Sequence, residues 1–172
     1  MLSSSELRAT RPVNPSRTPI GEIASWLGVE APSATVEVTG LSLSSQRILP
    51  GDLYAALPGA RVHGATCAAD ALTSGAVGVL TDPAGVDVLH DSGLAAHVPV
   101  LVVAKPREVL GRLGAWIQGR PAESMAMIAV TGTQGKTTTT RLAEIALEGA
   151  GIPAAVIGTV GTRVKGEEIR TS

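Results

Sequence analysis

Apolar side chains at Ile20, Ile23, Ala24 and Leu27 recur at helical spacing, and Gly28 closes the segment. Thr18 is placed to cap that helix, with Pro19 at its first position. Alternation at Val36 and Val38, then at Leu41 and Leu43, predicts extended chain broken at Gly40. Pro50-Gly51-Asp52 is a turn signal ahead of a strand over Leu53–Leu57. Beyond it the period changes. A helix is predicted over Ala65–Ser74, ended by Gly75. Val77–Leu80 follows as an apolar run too short for a helix, and Val98–Val103 is a second such run. Arg107–Ile117 then carries Leu110, Leu113 and Ile117 on one helical face. Strands that read as unbroken apolar runs, alternating with helices, predict a parallel sheet covered on both faces.

This reading divides the chain. Residues 1–17 are polar and interrupted by Pro12 and Pro15, the composition of a flexible tail. Residues 18–118 form an α/β domain, and 119–124 have a linker's composition. A new unit opens at Met125 with an apolar strand and a Gly-rich turn. A helix to about Glu148, a stop at Gly149 and Gly151, and a strand over Ala154–Ile157 follow. A phosphate-loop domain needs several βαβ units of roughly 30 residues or more each. Residues 125–172 hold little more than one, so the chain reads as the N-terminal piece of a longer protein.

Composition narrows the classes of function. Hydrophobic residues make up 44% and charged residues 17%, with net charge −1, a soluble globular balance. That charge, with only Trp26, Tyr54 and Trp116 as aromatic residues, argues against nucleic-acid binding. The single cysteine, Cys67, has no internal disulfide partner and lies among alanines, where it suits small-hydrophobe packing. No run approaches the length of a membrane span and no leader pattern opens the chain, so a cytoplasmic protein without membrane insertion is expected. His63, His90 and His97 lack metal-ligand spacing and are expected in solvated or loop roles.

The most specific chemistry lies in residues 126–140. There an apolar run enters Thr131-Gly132-Thr133-Gln134-Gly135-Lys136, and Thr137–Thr140 follow. A turn of this kind points several backbone N–H groups at one spot beside the positive end of a helix dipole, a fit for phosphate. Lys136 can reach outer phosphates, and the Thr137 hydroxyl can ligate magnesium. The general phosphate-loop pattern wants glycine where this chain has Val130. Consecutive β-branched threonines are poor helix openers, which favours a ligand-holding turn over a plain connection.

Residues 130–140 closely resemble the ATP loop of the Mur ligase family, whose pattern Gly-Thr-x-Gly-Lys-Thr-Thr-Thr accounts for Val130. Two more regions agree in the family's order. Leu41–Ser45 with Pro50–Gly59 is similar to its N-terminal signature, and Ile157–Thr162 resembles the segment after its next strand. Within the family the likeness is greatest to members that add the third residue of the peptidoglycan stem peptide. The resemblance implies an N-terminal mixed α/β substrate domain followed by the start of a P-loop parallel-sheet ATPase domain, truncated here. It implies ATP held by Gly132, Thr133, Gln134, Gly135, Lys136, Thr137 and Thr138, with Lys136 catalytic and magnesium on Thr137. It further implies the UDP-sugar on Leu43, Ser45, Ala60, Arg61 and Val62.

The partners so implied are a UDP-N-acetylmuramoyl-dipeptide and an amino acid, diaminopimelate or lysine, acted on by a monomer. ATP would phosphorylate a carboxylate, and an amine would attack the acyl phosphate. The family often has Asp-Ser-Arg at Ser44-Ser45-Gln46 and Asp-Gly at His63-Gly64. The first departure leaves Arg47 or Arg61 to meet the diphosphate. A strand-end hydroxyl bonded to backbone is the competing role for Ser45, and a solvated loop charge the competing role for Arg61. The family's Thr-Thr-Pro segment, modified lysine and C-terminal domain are not found up to Ser172. Another phosphate-loop kinase or ligase, and a non-catalytic nucleotide-sugar module over 18–118, stand as alternatives. As an N-terminal piece, the chain itself is expected to be inactive.

Overall fold

The computed structural model describes residues 11–169, so most of the tail expected over 1–17 lies outside the described residues. The chain forms two units, residues 13–124 making one and 125–169 the body of the other.

In the first unit, β3 (Gly40–Ser42), β4 (Asp52–Ala55), β5 (Gly78–Thr81) and β6 (Val100–Val102) lie side by side in chain order as a four-stranded parallel sheet. The registers Ser42↔Tyr54, Ala55↔Leu80 and Thr81↔Val102 align the carboxyl ends of all these strands along one edge. A short antiparallel pair, β1 (Thr18–Pro19) with β2 (Glu37–Val38), stands beside it.

Strand alternation sorts the core into two layers. Leu53, Ala55, Leu80 and Leu101 pack with Ile20 and Ile23 of α1 (Ile20–Leu27) and with Leu113 and Ile117 of α4 (Pro106–Ile117). Tyr54, Ala56 and Val79 face the opposite way. They meet Ala68 and Ala71 of α2 (Ala68–Thr73) and Leu89 of α3 (Pro83–Asp91). Each fully buried Leu or Ile contributes roughly 1.5–3 kcal/mol relative to exposure. At the rim of the first layer Trp26 and Trp116 stack with ring centres 5.8 Å apart, and Arg112 lies over Trp26.

The structure adjusts several expectations. Thr18 and Pro19 sit in β1, so α1 starts at Ile20 with Pro19 as its cap residue. The helix expected over 65–74 is a 3-10 turn, Gly64–Cys67, followed by the shorter α2. Helix α3 was not foreseen. Its Asp82 cap and Pro83 at the first position form a start signal, but Val86, Val88 and Leu89 make only a weak apolar stripe.

In the second unit, α5 (Lys136–Gly149) is followed by an antiparallel meander of β7 (Ala155–Gly158), β8 (Gly161–Val164) and β9 (Glu167–Ile169). Buried Glu144 joins helix to sheet, accepting from Arg141 at 2.5 Å and from Arg163 Nε at 3.1 Å. The strand expected at 126–130 is not formed. A strand persists through its ladder, and no described segment pairs with this one. Met127 and Ile128 are accordingly exposed. Among the described residues no helix is long and apolar enough to cross a membrane.

Candidate functional site

Two groups of residues carry candidate chemistry, one in each unit. In the second unit the turn before α5 bends at Gly132 (φ 144°) and Gly135 (φ 77°). The latter is the helix's cap residue, in the left-handed region that costs an L side chain roughly 1–2 kcal/mol. No side chain caps this end. The first bond into the helix is Thr139 N to Gly135 O at 2.9 Å. The amides of Lys136, Thr137 and Thr138 thus meet no acceptor among the described residues. Lys136 is exposed and folds back so that its ammonium donates to the Gly132 carbonyl. Gly132, Thr133, Gln134, Gly135, Lys136, Thr137 and Thr138 are all contiguous and exposed. The donor set suits an anion: unpaired amides, a lysine beside them, a positive helix end and no carboxylate within the turn.

In the first unit the sheet's carboxyl edge gathers the loops that follow β3, β4 and β5. Ligands of open parallel α/β sheets bind outside this edge. Leu43 and Ser45 leave the end of β3, with Leu43 largely exposed and Ser45 opening a 3-10 turn, Ser45–Arg47. Ser42, not Ser45, is the strand-end hydroxyl bonded to backbone, donating to Ser44 O at 3.0 Å. Ala60, Arg61 and Val62 form the exposed tip of the loop after β4. Topology therefore brings the expected residues of both loops to the same edge. Neither Arg47 nor Arg61 has an ion-pair partner among the described residues.

Spacing gave no hint of what underlies that tip. Gly64 N donates to Leu57 O at 2.8 Å, closing the base of the loop. The Tyr54 hydroxyl donates to Gly64 O at 2.9 Å. Burial pushes the Tyr54 phenol up, Cys67 and Asp70 adding to it, so the group stays a donor at neutral pH. Thr81 Oγ1 donates to Ala56 O at 2.8 Å, fully buried. His63 Nδ1 accepts from Ala65 N at 3.0 Å, and Nε2 lies 3.0 Å from Asp82 Oδ1. Asp82 Oδ1 also accepts from Gly85 N at 2.9 Å, capping α3. A Cβ on Gly64 would come within 2.9 Å of Leu57 N, and one on Gly85 within 1.9 Å of Thr81 Oγ1. These two glycines are needed for close approach. His63, expected in a solvated or loop role, is instead 15% exposed at the side chain and bonded on both ring nitrogens.

A family model described as "Mur ligase family, catalytic domain" matches residues 37–116, which covers the parallel sheet and leaves the turn at 132–138 outside it. The UDP-N-acetylmuramoyl-L-alanyl-D-glutamate–2,6-diaminopimelate ligases of Streptomyces coelicolor and Streptomyces avermitilis are 47% and 46% identical to it over 161 residues. Those alignments cover 94% of this chain and 31% of each relative. A solved structure of a ligase of the same name superposes with TM-score 0.60 at 23% identity, over 89% of this chain and 30% of that one. The mixed α/β fold is thus shared, and the chain spans about a third of the length of the curated relatives it matches.

Proposed function

We propose, because this chain belongs to the Mur ligase family, that it supplies the nucleotide-sugar grip and ATP turn of a peptidoglycan-precursor ligase. The reaction is ATP-dependent amide formation on UDP-N-acetylmuramoyl-L-alanyl-D-glutamate, adding the third amino acid. Diaminopimelate is favoured over lysine by the names of the relatives. The observation that carries the reading is the turn at 132–138: two glycines at positive φ ahead of a helix whose opening amides have no acceptor among the described residues, with Lys136 beside them.

In this reading the amides of Gly132–Thr138 hold the ATP phosphates, and Lys136 balances charge as the phosphoryl group moves. The Thr137 hydroxyl would ligate magnesium, which when bound neutralises phosphate charge. Leu43 and Ser45 take the uridine, while Ala60, Arg61 and Val62 lie along the sugar diphosphate. That remote grip aligns the reacting carboxylate, converting binding energy into orientation. The enzyme acts in the cytoplasm as a monomer.

Calorimetric titration of the 172-residue chain with UDP, and separately with ATP and magnesium, tests both halves. Binding of UDP without ATP turnover is expected. Heat from neither nucleotide would refute the reading. ATP turnover by the chain alone would favour a small phosphate-loop kinase instead.

A further inference from the structure

Loop 58–62 would be a poor binding element if it were held only by its own sequence. Its tip is exposed, and along the tip the backbone makes no ladder. What fixes it lies below. His63 closes the loop, and its ring is held by two elements at once. The Ala65 amide donates to Nδ1, which leaves Nδ1 unprotonated and puts the ring proton on Nε2. That proton is donated to Asp82 Oδ1, nineteen residues on and at the start of α3. Asp82 is itself immobilised as the helix cap through Gly85 N. The space is tight: a methyl group on Gly85 would fall 2.6 Å from His63 Cε1. Thr81 beside it ties β5 to Ala56 at the loop's other end. Arg107 Nη2 reaches Pro58 O at 3.4 Å. The five-residue tip is therefore an excursion from a base clamped on both sides by a largely half-buried polar network.

From this geometry we infer that His63 and Asp82 are positioning residues for nucleotide-sugar binding, a latch that presents Ala60–Val62 at the sheet edge. The inference rests on the uridine site proposed above. Each side chain is only 15% exposed, and both His63 ring nitrogens and Asp82 Oδ1 are already engaged within the protein. They act through the loop. The departure from the family's usual Asp-Gly at His63-Gly64 fits this role, because an aspartate there would face Asp82 as a like charge.

Two variants cut the link while sparing the local caps. Asp82→Ser keeps an oxygen for the Gly85 amide but is too short to meet His63. His63→Asn keeps an acceptor for the Ala65 amide but cannot reach Asp82. UDP affinity of the 172-residue chain, measured by calorimetry, is expected to fall roughly tenfold in each, the loss of one hydrogen bond to a charged group. The double variant should be no weaker than either alone, the signature of one shared interaction. Backbone amides of residues 59–65 should exchange faster, while those of β4 and β5 keep their protection. Unchanged UDP affinity in both variants overturns the latch and leaves the site standing. Weaker binding accompanied by general loss of protection in the sheet also overturns it, since the pair would then be structural only. Failure of the unaltered chain to bind UDP overturns site and latch together.

Discussion

The sheet edge of the first unit and the glycine-rich turn of the second both follow apolar runs, yet they are held in opposite ways. The turn at 132–138 is local: two glycines, one helix end and a lysine, all within a few residues and all exposed. The edge is assembled from segments far apart in sequence, and its loops stand on buried and half-buried hydrogen bonds spanning 10 to 25 residues. A contiguous site announces itself as a motif. An assembled one is invisible until strands are in register.

The difference dictates how each responds to substitution. The largest effect is expected at the turn, where, on the function proposed above, Lys136→Ala in the full-length protein should lower kcat/KM for ligation by about 10³-fold, the usual range for removing a charge that stabilises a phosphoryl or oxyanion transition state. Steady-state kinetics read this, and the melting temperature should hardly move, since Lys136 is exposed and its one bond, to the Gly132 carbonyl, is local to the turn. Full activity in that variant would erase the contrast. At the core beneath the edge, Leu101→Ala should cost about 2–5 kcal/mol in urea unfolding, because the side chain is fully buried between β5 and the helices. Gly85→Ala should cost about 1–3 kcal/mol by overpacking against Thr81 and His63. Gly135→Ala, in open space but at φ 77°, should cost about 1–2 kcal/mol locally and weaken ATP more than stability. Equal losses of UDP affinity from Gly85→Ala and Gly135→Ala would blur the two regions into one. The smallest effect concerns Tyr54. Its raised phenol favours the neutral form in the fold, so stability should hold from neutrality to about pH 10 and then decline as pH rises through the elevated value. Alkaline titration of tyrosinate absorbance checks this directly, because Tyr54 is the sole tyrosine.

Much of this was legible from residue order. Buried β5 announced itself as the apolar run Val77–Leu80 and α4 as a clean helical stripe, while Val98–Val103, which reads as buried, forms the edge strand β6 with only Leu101 buried and Val102 exposed. Lys136 and its glycines were legible because their chemistry needs them adjacent. Helix α3 escaped because its apolar stripe is short, although Asp82-Pro83 opens it with a strong start signal. The run 126–130 misled in the other direction. Hydrophobicity marks a segment as able to join a sheet, while joining requires a partner strand. The His63–Asp82 pair could not be found by spacing, because only the crossover from β4 to β5 brings these positions together. Arg47 and Arg61 lie in the loops at the sheet's carboxyl edge, without an ion-pair partner among the described residues.

The stacked indoles at the rim of the first core have a practical corollary. Trp26, Trp116 and Tyr54 are the chain's entire set of aromatic chromophores, and every one belongs to residues 13–124. Ultraviolet emission and near-ultraviolet dichroism will therefore follow the melting of that half alone, leaving the other optically silent. A single tryptophan placed in α5 would give it a voice and let the cooperativity of the two halves be measured separately.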